Sequence, residues 1–348
     1  MNRVPLAIFL LLAAAPVLAA DDEVGKPVEI TYREQITNFW GEREVKLHLV
    51  VSAQEALAGE LNWSLHAAGR TLISRTSEIE VAAGGKAEVE VRYTLPAVKD
   101  AVIYPIELRA WAGMMGKEPA AKLRVKFNLY GANPFAERQE WLKSLKCQLF
   151  DPENKTAEAF EKLGIPFERI TNLSTIEDLR DGVLIIGEDV AWEDYGKLGP
   201  TLLGAAARGV NVLCLPGAKA EFPLPTAKRR EPTTAQQLSF RQTDVLRDLD
   251  KRLSMHWTGE HAVVSQSLEL VAENDQVLAR AVAPEFGWPW MEVRFPQRAG
   301  KPSALVWCGL GLIRSWEESP TPRYVLLNWL EKTGKQEERQ KESGDSSR

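Results

Sequence analysis

Apolar positions divide the chain into two kinds of pattern. Between residues 24 and 130 they recur at every second place: Val45, Leu47, Leu49 and Val51; Leu61, Trp63 and Leu65; Val89, Val91 and Tyr93; Ile106, Leu108 and Ala110; Leu123, Val125 and Phe127. Period two belongs to strands with one buried face. Gly59, Gly69, Gly84-Gly85, Pro96, Gly113 and Gly116 punctuate these runs and supply turns. About seven short strands at this spacing predict a two-sheet, Ig-like β-sandwich. It carries no cysteine pair, so the inter-sheet disulfide of antibody domains is not expected.

Tyr130-Gly131-Ala132-Asn133-Pro134 breaks the alternation and marks a junction. Over residues 134–333 the pattern predicts strand and helix in turn. Strands are expected at 147–150, 167–170, 183–186 and 210–215, and helices at 156–163, 175–180 (capped by Ser174) and 198–208. Residues 183–186 read Val-Leu-Ile-Ile, apolar on both faces, as in a parallel sheet covered by helices. Residues 222–237 read as a surface loop and 243–253 as an amphipathic helix. Strands at 290–295 and 303–308 and a helix at 323–332 close the unit. The polar tail, 334–348, is expected to be disordered. The predicted fold class is therefore α/β plus all-β, with the sandwich followed by a doubly wound, mostly parallel sheet.

Residues 1–20 read as a secretory signal. Arg3 precedes the apolar run 6–15, and Val17-Leu18-Ala19 offers small residues for cleavage. The run falls short of the roughly 20 apolar residues a membrane helix needs. The expectation is an exported protein, periplasmic or extracellular, with no stable membrane insertion after cleavage. A net charge of −5 argues against a nucleic-acid partner, which requires a basic face. The three cysteines, Cys147, Cys214 and Cys308, sit in apolar contexts, and an odd number cannot be fully paired within the chain. Stability is expected from packed cores.

The order of elements in the second half resembles the class I glutamine amidotransferase-like fold. The resemblance is especially to degenerate domains of secreted carbohydrate-active proteins, such as the trimerisation-type domain of some β-galactosidases. It rests on Leu149-Phe150-Asp151-Pro152, on Val183 to Glu188, on Gly209 to Gly217, and on the closing strand and helix from Ala304 to Leu330. In active members of that family a cysteine on a strained strand-to-helix turn is activated by a later His-x-Glu pair. Cys214 is the one residue that could match this cysteine. Here Leu213, Leu215 and Pro216 surround it instead of glycines, and no His-x-Glu occurs.

Three other groups carry candidate chemistry. Asp151, Glu188 and Asp189 fall at predicted strand ends, where parallel sheets bind ligands. They form either a shared ligand cleft or, for Asp151, a helix cap with Pro152 at the first helical position. Trp288 and Trp290, in Phe286-Gly287-Trp288-Pro289-Trp290, offer flat faces for a sugar ring or for packing between domains. His256, Glu260 and His261 have the wrong spacing for a zinc-hydrolase helix, so no metal site is expected, and no cofactor. The preferred expectation is a non-catalytic binding or assembly protein whose partner is a glycan or an envelope protein. The alternatives are a hydrolase using Cys214 or an Asp151/Glu188 cleft, and a structural subunit of a cell-surface complex.

Overall fold

The computed structural model describes residues 27–224, 235–254, 256–257, 263–274, 276–298 and 301–345. The signal-like segment, Glu260 and His261 lie outside the described residues.

Among the described residues, the N-terminal half forms eight strands: β1 (Val28–Tyr32), β2 (Asn38–Trp40), β3 (Glu44–Ala53), β4 (Leu57–Ala67), β5 (Arg70–Val81), β6 (Lys86–Thr94), β7 (Ile103–Gly113) and β8 (Ala121–Tyr130). They make two sheets, β1-β3-β6 and β2-β8-β7-β4-β5. All pairs are antiparallel except β2 with β8. Leu47, Leu49 and Val51 of β3 share one core with Leu61, Leu65, Leu108 and Phe127 of the other sheet. Burying each such side chain contributes about 1.5–3 kcal/mol. In β5 only Ile79 and Val81 are buried, which is why its apolar pattern is faint in the sequence.

The C-terminal half alternates. In chain order it holds α1 (Gln139–Ser144), β9 (Cys147–Phe150), α2 (Lys155–Lys162), β10 (Glu168–Ile170), α3 (Leu173–Asp178) and β11 (Val183–Ile186). A 3-10 turn (Trp192–Tyr195), α4 (Leu198–Arg208), β12 (Asn211–Cys214), β13 (Glu221–Pro223), β14 (Gln237–Arg241) and α5 (Val245–Leu249) follow. The last elements are β15 (Ser267–Glu273), β16 (Gln276–Val282), β17 (Trp290–Arg298), β18 (Lys301–Cys308) and α6 (Pro320–Asp345). One sheet has the order β10-β9-β11-β12-β18-β17-β14. Its first five strands are parallel, and β17 pairs antiparallel with β18 on one side and with β14 on the other. A small sheet, β13-β16-β15, stands apart.

Strand alternation distributes the large sheet's side chains between two cores. Val183 and Ile185 of β11 join Phe160 of α2 and Val325 of α6 in one. Leu184 and Ile186 join Ile176 of α3 and Leu202 of α4 in the other. Both faces are covered, so these strands are continuously apolar.

Several sequence expectations change. The cap of α3 is Asn172, whose side chain accepts from Thr175 N–H, and not Ser174. The helix expected over 243–253 is only α5, because Asp250 turns extended (φ −157°, ψ 128°) and binds Arg252. Phe222 and Gln237, the ends of the expected loop, belong to β13 and β14. The tail expected to be disordered from 334 continues α6 to Asp345. Its Lys, Gln, Glu and Arg residues have high helix propensity, and its two glycines, Gly334 and Gly344, cost only about 1 kcal/mol each.

The two halves meet around Arg323 of α6, a buried cation. Its Nε donates to Trp316 O (2.9 Å), Nη1 to Ala132 O (2.6 Å) and Nη2 to Glu317 Oε2 (2.7 Å). The guanidinium lies 4.5 Å from the Trp40 ring centroid and 5.6 Å from that of Trp316. Beside it, Asn38 Nδ2 donates to Arg252 O and Thr321 Oγ1, both at 3.0 Å. The Tyr130 and Tyr324 rings meet edge to face at 4.5 Å. Trp40, Tyr130 and Phe135 are accordingly part of the core that runs under α6.

Arg323→Met keeps the apolar stem and removes every donor, leaving the Trp316 and Ala132 carbonyls unpaired. It should lower the unfolding free energy by about 3 kcal/mol in urea titration. A wild-type midpoint would show that the seam does not need this residue.

Candidate functional site

The three acids singled out at strand ends do come together, and they converge on the first turn of α2. Asp151 Oδ2 accepts from Ala157 N–H at 2.8 Å. Glu188 N–H donates to Thr156 Oγ1 at 2.9 Å. Asp189 Oδ2 pairs with Lys155 Nζ at 2.7 Å. Three consecutive residues of one helix start are thus held by three acidic positions at the carboxyl rim of β9 and β11. The helix begins at Lys155 and not at Pro152. Its N-cap, Asn154, is left-handed (φ +60°) and makes no side-chain cap bond. Asp151 takes over that duty from outside the helix, satisfying an amide that the first turn leaves free.

The close approach depends on Gly187. A Cβ there would lie 2.7 Å from Asp151 Cγ, so a larger residue cannot share the space. Gly187 N–H continues the ladder by donating to Phe150 O (2.9 Å). Asp189 is left-handed (φ +68°), a conformation Asp tolerates better than most residues. Its N–H donates to Pro216 O at 2.7 Å, which ties the end of β11 to the end of β12.

Glu188 is 2% exposed, and its Oε2 accepts from Ile313 N–H at 2.7 Å. Burial pushes its carboxyl up to about 7, against the pull of the Ile313 and Arg314 amides. Burial also raises Asp151, opposed by the Ala157 and Thr156 amides. Asp151 Oδ1 is buried without a hydrogen-bond partner. These carboxylates join backbone segments to each other: α2 to the sheet, and the loop after β18 to β11.

Cys214 is the last residue of β12 and is completely buried in the core beneath α4. Leu215 and Pro216 after it are buried too, so the thiol lies within the packed sheet and not on an open turn. Burial is the sole cause acting on it, and it holds the thiol well above its usual range. The protonated thiol is a poor nucleophile. Cys147 and Cys308 are also free and buried, each pushed up to about 12. His256 is exposed. Among the described residues no group of three or more His, Cys, Asp or Glu side chains is arranged to hold a metal ion.

The tryptophan pair separates. Trp290 is buried in β17 opposite Cys308 and Arg241, with Met291 buried on the other face, so it cannot stack on a sugar. The burial is local to this end of the strand, since Glu292 and Arg294 on the same face of β17 are half-buried and exposed. Trp288 is half-buried. Its backbone bridges Leu268 in both directions (2.8 and 2.9 Å), and its ring is 5.2 Å from Phe240. Phe286 is the exposed aromatic of that segment, at 62%.

Two cavities open along the carboxyl rim. One, of ≈ 320 Å³, is lined by Asp151, Asn154, Arg169 and Tyr195 among others. The other, of ≈ 530 Å³, lies between the Trp192–Tyr195 turn, the start of α4, β13 and the β15–β16 turn. Tyr195 lines both. Sequence reasoning missed this second site because its walls come from segments far apart in the chain. The one local signal was a pair of aromatics, Trp192 and Tyr195, just after a predicted strand end.

No family model matches the chain, and no curated protein matches it. Among solved structures it is similar to the alkylpurine DNA glycosylase AlkC of Pseudomonas fluorescens bound to DNA containing an abasic site analogue (TM-score 0.21, 8% identity, 31% of this chain and 31% of that chain). It is similar to the CARDB domain of the PF1109 protein of Pyrococcus furiosus in complex with di-metal ions (TM-score 0.21, 9% identity, 30% and 89%). It is also similar to the C-terminal domain of wzt (TM-score 0.21, 14% identity, 27% and 62%). The chain spans 31% of the length of the first of these, and likenesses at this TM-score carry no argument about its fold or activity.

Glu188 should make stability depend on pH. The folded state holds its proton more tightly than the unfolded chain, whose carboxyl titrates near 4.5. The contribution is therefore fully present below about pH 4.5 and is lost as pH rises to about 7, by on the order of 3 kcal/mol. Denaturant midpoints across this window should fall for the wild type and fall less for Glu188→Gln. Equal slopes would remove Glu188 as the source.

Proposed function

We propose that the chain is an exported binding or assembly protein that carries out no reaction. On this reading β1 to β8 are an Ig-like sandwich. The C-terminal half is a doubly wound, amidotransferase-like domain that has lost its reaction centre. The observation that carries the reading is the burial of Cys214. A strand-end thiol sealed in the core, acted on by burial alone, has neither the access nor the ionisation that acyl transfer needs.

The five parallel strands with helices on both faces support the domain assignment. The rim acids support the same view. Asp151 and Glu188 have oxygens engaged by backbone amides of α2 and of the loop after β18, which gives an Asp151/Glu188 hydrolase little to work with. The partner is a glycan or an envelope protein in a periplasmic or extracellular setting. Among the described residues no helix is long and apolar enough to cross a membrane.

A thiol reagent at neutral pH should leave all three cysteines of the native protein unmodified until denaturant is added. The mature protein should co-sediment with cell-envelope material, and Cys214→Ala should not change this. A saturable hydrolase activity abolished by Cys214→Ala would overturn the proposal.

A further inference from the structure

We infer that the ≈ 530 Å³ cavity beyond the carboxyl ends of β11 and β12 is a binding site for a neutral saccharide, with Tyr195 as the surface on which a sugar ring rests. This deepens the reading of a non-catalytic binding protein and rests on it.

The site is preformed. Trp192 N–H donates to Ala218 O at 3.0 Å, so the turn after β11 and the segment after β12 are one wall. The Trp192 ring packs edge to face on Phe222 of β13 at 4.7 Å. The start of α4 presses on β13 through Gly199, where a Cβ would overlap the Glu221 carbonyl oxygen. A fixed concavity of this size is within the ~300–1,000 Å³ range of small-molecule sites.

The charges select the ligand. Glu193 pairs with Lys219, and Glu221 (2.8 Å) and Glu273 (3.1 Å) both pair with Arg280. Glu221 and Glu273 share the one guanidinium, so three carboxylates meet two cations and the wall keeps a small net negative charge. A phosphate or carboxylate ligand would meet that residual negative charge and be disfavoured. A carboxylate bound by a cation still has spare acceptor lone pairs, and the amides of Asn274 and Gln276 add donors and acceptors. The walls therefore suit groups that donate and accept without charge, which are hydroxyls. Trp192 and Tyr195 supply the apolar counterpart. A pyranose has both faces in one molecule: a rim of hydroxyls and a plane of C–H groups. This also moves the aromatic platform away from Trp290, which is buried.

The test is calorimetric titration of the full chain with cellobiose, maltose and chitobiose, with inorganic phosphate and digalacturonate as anionic probes. At least one neutral disaccharide should bind, neither anion should, and Tyr195→Ala should weaken binding by about tenfold. Trp288→Ala should leave it unchanged. If Tyr195→Ala does not fold, Gln276→Ala, on the exposed wall, should weaken the same binding. Absence of binding by all three disaccharides, preference for an anion, or binding indifferent to both cavity variants would overturn the inference. Envelope co-sedimentation that persists in the cavity variants would overturn only this site. Thiol-dependent hydrolysis would overturn the reading beneath it.

Discussion

A single buried guanidinium organises the seam between the two halves. Arg323 remains charged even where burial lowers its affinity for a proton, because arginine does not deprotonate under ordinary conditions. It therefore needs local acceptors, and each of its three nitrogens has one: the Trp316 carbonyl, the Ala132 carbonyl in the junction, and Glu317. Trp40 and Trp316 cover its faces. Such an arrangement tolerates little displacement, since any shift strips a carbonyl or exposes a ring. The strands of the sandwich and the closing helix behave as parts of one packed body, with Tyr130 and Phe135 sharing the core of α6.

The same economy governs the rim of the parallel sheet. In open α/β sheets this rim is where ligands sit. Here Asp151, Glu188 and Asp189 are drawn into holding α2 and the loop after β18, so acidic chemistry near a strand end has a structural use. Space for a ligand remains farther along, around the half-buried Tyr195, where Glu193 pairs with Lys219 and Glu221 and Glu273 share Arg280. Position in a fold and availability for chemistry are different properties, and the hydrogen bonds decide between them.

How much was legible in the sequence follows from what each signal depends on. Residues 183–186 announced a covered strand because both faces of β11 are apolar, and Leu198–Arg208 announced its own helix with Gly209 closing it. The helix at 243–253 failed because Asp250 is pulled extended by Arg252, a contact that periodicity does not encode. Asp151 as a cap was legible in kind, while the helix start it serves lies later than Pro152 because Asn154 turns left-handed. The sheet β13-β16-β15 was missed: β13 is short and pairs with β16 across a long intervening segment, and the β15–β16 hairpin buries few side chains. The strand at 290–295 was legible, but the burial of Trp290 was not, because alternation does not show that its end of the strand packs into the core under α6.

The three thiols have one more consequence, and it concerns biogenesis. Once the cores close, oxidants cannot reach Cys147, Cys214 or Cys308. On the exported reading proposed above, the unfolded chain displays all three in an oxidising compartment, and a premature cross-link among them opposes the alignment of β9, β12 and β18. On that reading collapse of the parallel sheet has to outrun sulfur oxidation, and the yield is set by a race that the finished form no longer records.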